Sequence, residues 1–229
     1  LAGIRGAAQL LGRKLDDRDR ALTDLIAGEV DRIATLIDQM QKLSRRTTAP
    51  VEPCNLHEAV RRAIAVLDAA GGGNSPALSI VEEFDPSLPP VLGNPDELVQ
   101  VVINLVANAR DACSRQNAPQ VRVRTRFASG LQLHAGGSAK PVRLPVELRI
   151  SDNGPGIDPA LRDHIFEPFV TSKKTGQGLG LALVRKLVHD MNGRIVHERD
   201  ESRGLTHFRV NLPLAGTDVS QQGKGKSSI

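Results

Sequence analysis

The sequence predicts an α+β protein: a helical hairpin, half of a dimeric four-helix bundle, followed by an α/β sandwich. Three observations carry that prediction. Apolar residues recur at steps of three and four through the first 44 residues. Two later stretches, Gln120–Phe127 and Val146–Asp152, read as strands. Glycine-bearing turns then connect such strands to apolar helices.

Residues 1–15 place Leu1, Ile4, Ala8, Leu11 and Leu15 at helical spacing, with no capping Ser, Thr, Asp or Asn in front of them. A polar turn at Asp16, Asp17, Arg18 and Asp19 interrupts the pattern. It resumes at Leu22, Ile26, Val30, Ile33, Ile37, Met40 and Ser44, a narrow seam of the coiled-coil kind. Two helices of this size hold too little core to stand alone, and a second copy would complete a four-helix bundle. An ordinary hairpin packed on its own domain would carry the same seam. Pro50 and Pro53 prevent the second helix from continuing. The chain therefore divides into a hairpin over 1–48, a linker over 49–55, an α/β domain over 56–215 and a polar, disordered tail over 216–229.

Within the third part, Asn55 caps a helix to about Asp68, and Leu78–Phe84 alternates like a strand. Asn94 as cap, Pro95 in the first turn and Glu97 three residues after the cap mark the clearest helix start, running to about Arg115. Gln120–Phe127 is a strand with one wet face, and Val146–Asp152 is a second strand. Residues 128–145 between them read as a long hairpin or surface insertion. Residues 181–193 form a helix ending on Asn192 and Gly193, and 194–200 with 206–214 form a terminal hairpin.

Composition narrows the function classes. The chain has no Trp or Tyr and five Phe, so its core is aliphatic. No apolar run approaches the roughly 20 residues that cross a bilayer, and no signal-peptide pattern opens the sequence, which predicts a soluble, cytoplasmic protein without a membrane partner. Cys54 and Cys113 form neither a CxxC nor a disulfide framework and read as core thiols. The net charge of +4 comes from bases dispersed among acids, with few aromatic platforms, which argues against nucleic acid.

Four segments carry chemistry. In "NLVANARDA", Asn104, Asn108 and Asp111 share one face of an otherwise apolar helix. Mid-helix asparagines are unfavourable and need a reason. A buried polar pair bonded to loop backbone is one; a hard-cation site, with Mg²⁺ shared between carboxamide and phosphates, is another. "SDNGPGI" follows a strand and sets Asp152 at its end to accept a hydrogen bond, although a tight strand-to-helix turn would need the same glycines. "HIFEPFVTSKKTGQ" ends polar, basic and glycine-flanked, like a mobile lid. "GQGLGLAL" opens a helix with Gly176, Gly178 and Gly180, where backbone N–H groups and the helix dipole favour phosphate.

In order and spacing these segments resemble the N, G1, F and G2 boxes of sensor histidine kinases of two-component systems, and "GLTHFRVNLP" resembles the closing strand of the same domain. "GIRGAAQLL" and an insertion like 128–145 resemble the nitrogen-regulation subgroup. The resemblance implies a sandwich of the histidine kinase and Hsp90-like type that binds ATP and Mg²⁺. It implies Asn108 as the Mg²⁺ ligand with Asn104 one turn before it, and Asp152 accepting from the adenine amino group with Thr206 supporting it through water. Gly154, Gly156 and Ile157 would shape the adenine pocket. Gly176, Gly178, Leu179 and Gly180 would cradle phosphates, Phe166 and Phe169 would anchor the lid, and Lys173 and Lys174 would contact phosphate. Asp111, another nucleotide-contact candidate, and Ala112 stand where many relatives carry a basic residue and an aromatic.

The implied reaction moves the γ-phosphoryl to a histidine and then to a response-regulator aspartate, here a regulator of the NtrC type, in a homodimer, with a PII signal protein as a further partner. The same fold serves ATP-driven conformational machines, which need a carboxylate to activate water. Asn104 stands at that position, and an amide cannot act as a general base. In the family, His-Glu-Ile-Lys-Asn-Pro precedes Leu-Ala-Gly-Ile-Arg-Gly. This sequence opens at that Leu, so the phosphoacceptor histidine and every catalytic residue around it are expected to be absent. None of His57, His134, His164, His189, His197 and His207 stands in such a context. The 229 residues are expected to bind ATP without autophosphorylating.

Overall fold

A five-stranded sheet covered on one face by three helices forms the larger part of the molecule. The computed structural model describes residues 1–12, 17–44, 50–70, 79–128, 132–133, 142–173 and 176–216. Lys174, His134, most of the 128–145 insertion and nearly all of the expected tail lie outside the described residues.

The chain opens with helices α1 (Ala2–Gly12) and α2 (Asp17–Ser44), which pack against each other. They approach closely where Gly12 faces Thr23: a Cβ at Gly12 would stand 2.7 Å from the Thr23 hydroxyl. Arg20 Nε donates to Gly12 O at 3.1 Å, satisfying a carbonyl at the end of α1. Arg5 pairs with Asp31 across the two helices at 3.2 Å. Beyond these contacts the hairpin buries little.

Strand β1 (Glu52–Cys54) follows, within the stretch read as a linker, and pairs antiparallel with β3 (Val91–Gly93). Helix α3 (Leu56–Ala70) starts as expected: Asn55 Oδ1 accepts the His57 and Glu58 N–H groups at 3.0 and 3.3 Å. Strand β2 (Ser79–Glu83) leads to β3 and then to α4 (Pro95–Cys113). The α4 start is also as expected, with Asn94 Oδ1 accepting from the Asp96 and Glu97 N–H groups, both at 3.1 Å.

Strands β4 (Gln120–Phe127) and β7 (Val146–Asp152) occupy the ranges expected of them. Between them β5 (Gln132–Leu133) and β6 (Val142–Arg143) form a two-stranded hairpin. Helix α5 (Gly180–Asp190), β8 (Arg194–Asp200) and β9 (Leu205–Leu212) complete the chain. The order across the sheet is β2-β4-β7-β9-β8, with β2 and β4 parallel and the other neighbours antiparallel.

The core lies between this sheet and α3, α4 and α5. Leu98, Val101, Val102, Leu105 and Val106 of α4 are buried against Val121, Val123, Leu148 and Ile150 of the sheet and Leu183, Val184 and Leu187 of α5. Each such side chain contributes about 1.5–3 kcal/mol by leaving water. This packing fixes α4 and the ends of β7 and β9 as a rigid frame. Helix α5 ends through Asn192, which adopts φ 55°, while Gly193 N–H closes onto Val188 O at 2.8 Å. Gly193 is needed for space, since a Cβ there would meet Asn211 O at 2.7 Å.

Candidate functional site

The polar face of α4 looks onto the start of α5. Asn104 Nδ2 donates to Gln100 O at 2.8 Å, which leaves its Oδ1 facing Gly180; a Cβ on Gly180 would stand 3.1 Å from that oxygen. One turn on, Asn108 Oδ1 accepts from Lys173 Nζ at 3.1 Å, and the same ammonium reaches Asp111 Oδ2 at 2.6 Å. Asp111, a candidate ligand contact, pairs with this lysine. The Asn108 carboxamide oxygen thus points at a positive charge, and a carboxamide oxygen is also a donor suited to a hard cation. Among the described residues no cluster of three His, Cys, Asp or Glu could bind a metal alone, so Mg²⁺ at Asn108 would need phosphate oxygens to complete its shell.

The N-terminus of α5 is open. Its cap, Leu179, makes no side-chain capping bond, and the first turn holds no acid. No side-chain cap therefore occupies its first N–H groups, which stand at the positive end of the helix dipole, where anions are favoured. Gly178 precedes it with φ 67° and packs so tightly that a Cβ would lie 2.5 Å from the Phe169 carbonyl carbon. Phe169 N–H donates to Gly178 O at 2.9 Å. The glycine is therefore required both by conformation and by space. Gly176 is similarly close to Thr171, 2.6 Å from its hydroxyl.

The two phenylalanines expected to anchor the lid meet it in different ways. Phe166 is half-buried and meets Phe208 and His197 edge-on, with centroids 6.4 and 6.3 Å away. Phe169 is 60% exposed and holds the loop through its backbone, not its ring. It also adopts φ 68°, a strained conformation for a residue with a Cβ.

At the opposite end of the site, Asp152 closes β7 and is 3% exposed. Burial pushes its carboxyl up to about 6, opposed by the Gly154 N–H and by the positive charge of Arg199. Gly154 N–H donates to Asp152 Oδ1 at 2.9 Å. A Cβ on Gly154 would press to 2.8 Å against the Ala112 backbone. Gly156 adopts φ 92° beneath the Arg199 guanidinium. Arg199 Nη1 donates to Gly154 O and to Thr206 Oγ1, each at 3.0 Å. Thr206 lies opposite Asp152 in the β7–β9 register.

Arg199 went unnoticed in the sequence reading, yet β8–β9 pairing places it beside Thr206. Once Thr206 is set opposite Asp152, the register of the terminal hairpin identifies its neighbour. Asn153, inside the same motif, serves the fold: it accepts from Gln120 N–H and donates to Ala118 O.

These groups surround one cavity of about 530 Å³. Asn104, Asn108, Asp152, Gly156, Ile157, Lys173, Gly176, Gly178, Leu179, Gly180 and Thr206 line it. Gly154, Asp111, Phe166 and Phe169 are not among the lining residues, and Lys174 lies outside the described residues. The sequence reading did not anticipate three further lining residues, Arg32, Thr35 and Gln39 of α2. The cavity thus has a buried acceptor at one end and an open helix N-terminus, two carboxamides and a lysine at the other. That polarity suits an elongated ligand with a base-like donor at one end and anionic groups at the other.

Comparison with known proteins shows the family. Residues 93–216 match the family described as "Histidine kinase-, DNA gyrase B-, and HSP90-like ATPase", and residues 1–49 match the "His Kinase A (phospho-acceptor) domain". The chain is 40% identical to the sensory histidine kinase/phosphatase NtrB of Rhizobium meliloti (strain 1021), covering 98% of this chain and 59% of that protein. It is 42% identical to NtrB of Rhodobacter capsulatus, covering 96% and 59%. The chain thus spans less than two thirds of these relatives. Full-length ShkA in complex with AMPPNP superimposes with a TM-score of 0.72 at 23% identity, covering 93% of this chain and 42% of that one. Histidine kinase ThkA in complex with the response regulator TrrA superimposes at 0.65 and 22% identity, covering 92% and 56%.

Proposed function

Because the chain belongs to the family of histidine kinase-, DNA gyrase B- and HSP90-like ATPases, we propose that it is the Mg-ATP-binding core of a nitrogen-regulation sensor histidine kinase. The observation that carries this reading is the shared cavity: buried Asp152 at one end, Asn108 and the open N-terminus of α5 at the other. Asp152 accepts the adenine amino group, and ionises to do so. Arg199 keeps Gly154 and Thr206 in place around it. The α5 N–H groups and the loop from Gly176 to Gly180 receive the phosphates. Asn108 holds Mg²⁺, which would neutralise and orient the phosphate oxygens. Lys173 then leaves the Asn108 carboxamide for a phosphate, with Asp111 keeping it close.

The work left to the protein is positioning and charge neutralisation, as phosphoryl transfer demands. Asn104 offers an amide where a hydrolytic machine needs a base, which favours transfer to a histidine over hydrolysis. The proposal extends to a response-regulator aspartate of the NtrC type as final acceptor, to a PII protein as regulator and to a homodimer built on the hairpin. Ten large apolar residues of the hairpin, from Leu1 to Met40, are 41–66% exposed in the single chain, an apolar area that a second hairpin covers.

Neither α1 nor α2 contains a histidine. His57 bonds Thr125, His164 bonds Glu167 and His207 bonds Ser151, while His189 and His197 lie on α5 and β8. Residues 1–229 alone are therefore expected to take no label from γ-labelled ATP. A version carrying His-Glu-Ile-Lys-Asn-Pro and the preceding helical turns in front of Leu1 is expected to become labelled on that histidine. Labelling of residues 1–229 alone, or none in the extended version, would count against the reading.

A further inference from the structure

The cavity described above needs positive charge to receive a triphosphate, and the α/β layer supplies little of it. Among the described residues that line the cavity, two are cationic: Lys173, in the loop before α5, and Arg32, in α2 of the hairpin. Arg32 is followed along the same helical stripe by Thr35 and Gln39, at steps of three and four. The Thr35 hydroxyl is spent on Asp31 O at 2.9 Å.

Two contacts fix which end of the cavity this stripe faces. Gln177, between Gly176 and Gly178, donates through Nε2 to Arg32 O at 3.0 Å. Helix α2 also packs on α5, whose open N-terminus enters the cavity. Arg32 thus stands beside the glycine loop, away from buried Asp152. Its guanidinium reaches Glu29 Oε1 at 3.4 Å on the same helix, with both side chains well exposed. An exposed pair of that kind contributes about 0–1 kcal/mol. A phosphate accepts two parallel bonds from a guanidinium and is the stronger partner.

We infer that Arg32 is a phosphate-positioning residue, by which the hairpin completes the nucleotide site of the α/β domain. This rests on the proposed ATP-binding reading. Its consequence is that nucleotide selectivity depends on a residue outside the domain that carries the binding motifs. Hairpin and nucleotide are then coupled: whatever separates α2 from α5 also withdraws a cation from the outer phosphates.

The test is calorimetric titration of the full 229-residue chain with ATP, ADP and AMP in the presence of Mg²⁺, for wild type, Arg32→Ala and Arg32→Lys. Arg32→Ala is expected to weaken ATP about tenfold, ADP by less and AMP not at all, with Arg32→Lys in between, since a point charge replaces a bidentate fork. Melting without nucleotide should match wild type, because the side chain is exposed. An unchanged ATP affinity in Arg32→Ala, or an equal loss for all three nucleotides, would overturn the inference and leave the ATP reading standing. A wild-type chain that binds none of the three would overturn both.

Discussion

The hairpin and the α/β layer use the same aliphatic residues in opposite ways. In the layer, Leu98, Leu105, Leu148 and Leu183 are 0–1% exposed, enclosed between sheet and helices. In the hairpin, Leu22, Leu25, Ile33 and Met40 are 45–66% exposed. Both regions have regular amphipathic patterning, but three helices and a sheet can close a core while two helices cannot. The layer closes its core within a single chain, which fixes the elements around the cavity. The hairpin leaves its apolar stripe exposed, the surface on which the proposed second copy would pack.

The largest effect that sharpens this contrast is on stability. Leu105→Ala should cost about 2–5 kcal/mol in denaturant unfolding, while Leu25→Ala should stay within about 0.5 kcal/mol in the monomer. A comparable loss from both would erase the distinction. Replacing Ile26 and Ile33 together by Asp should abolish self-association, read by light scattering, with the melting of the α/β layer unchanged. Gly178→Ala should weaken ATP by about tenfold or more, because a Cβ meets the Phe169 backbone and φ 67° is strained. Gly204→Ala is the control: it shares the strain at φ 64° but has only the Arg199 guanidinium near, at 4.0 Å, and should leave ATP affinity alone.

A smaller effect is that of pH. The folded state raises the Asp152 carboxyl to about 6, so it binds its proton more tightly than the unfolded chain does. Its contribution to stability is fully present below about pH 4 and is lost as pH rises through 6. Ligand affinity runs the other way, because the ionised form accepts from adenine. Adenosine, which carries no titrating phosphate, should bind more tightly as pH rises from 5 to about 7 and then level off. Asp152→Asn should remove both dependences, as followed by titration calorimetry and thermal melting.

Much of the layer was legible in the sequence because its signals are local. The Asn94 and Asn55 caps, the Gln120–Phe127 and Val146–Asp152 strands and the Asn192–Gly193 stop each depend on a few neighbouring residues, and each is found where expected. What escaped depends on distance in the chain. Strand β1 is three residues with a proline in the middle, and only pairing with β3 makes it a strand. Arg199 matters because β8 sets it beside Thr206, and Arg32 because α2 packs on α5. Asp111 was marked by its place on α4, but its pairing with Lys173, 62 residues on, depends on how the lid folds back. Phe169, expected to anchor the lid, has a left-handed backbone and a ring 60% exposed, neither of which a local pattern announces.

The central claim is that one cavity holds adenine at Asp152 and Mg²⁺-bound phosphates at Asn108. Calorimetric titration of ATP into wild type, Asp152→Asn and Asn108→Ala, with Mg²⁺ and with the metal chelated, tests it most directly. Wild type should bind in the micromolar to millimolar range with Mg²⁺. Asp152→Asn should lose about tenfold or more with or without the metal, and Asn108→Ala should lose as much with Mg²⁺ but little once the metal is removed. Equal losses for Asn108→Ala in both conditions, or full affinity in Asp152→Asn, would contradict the account.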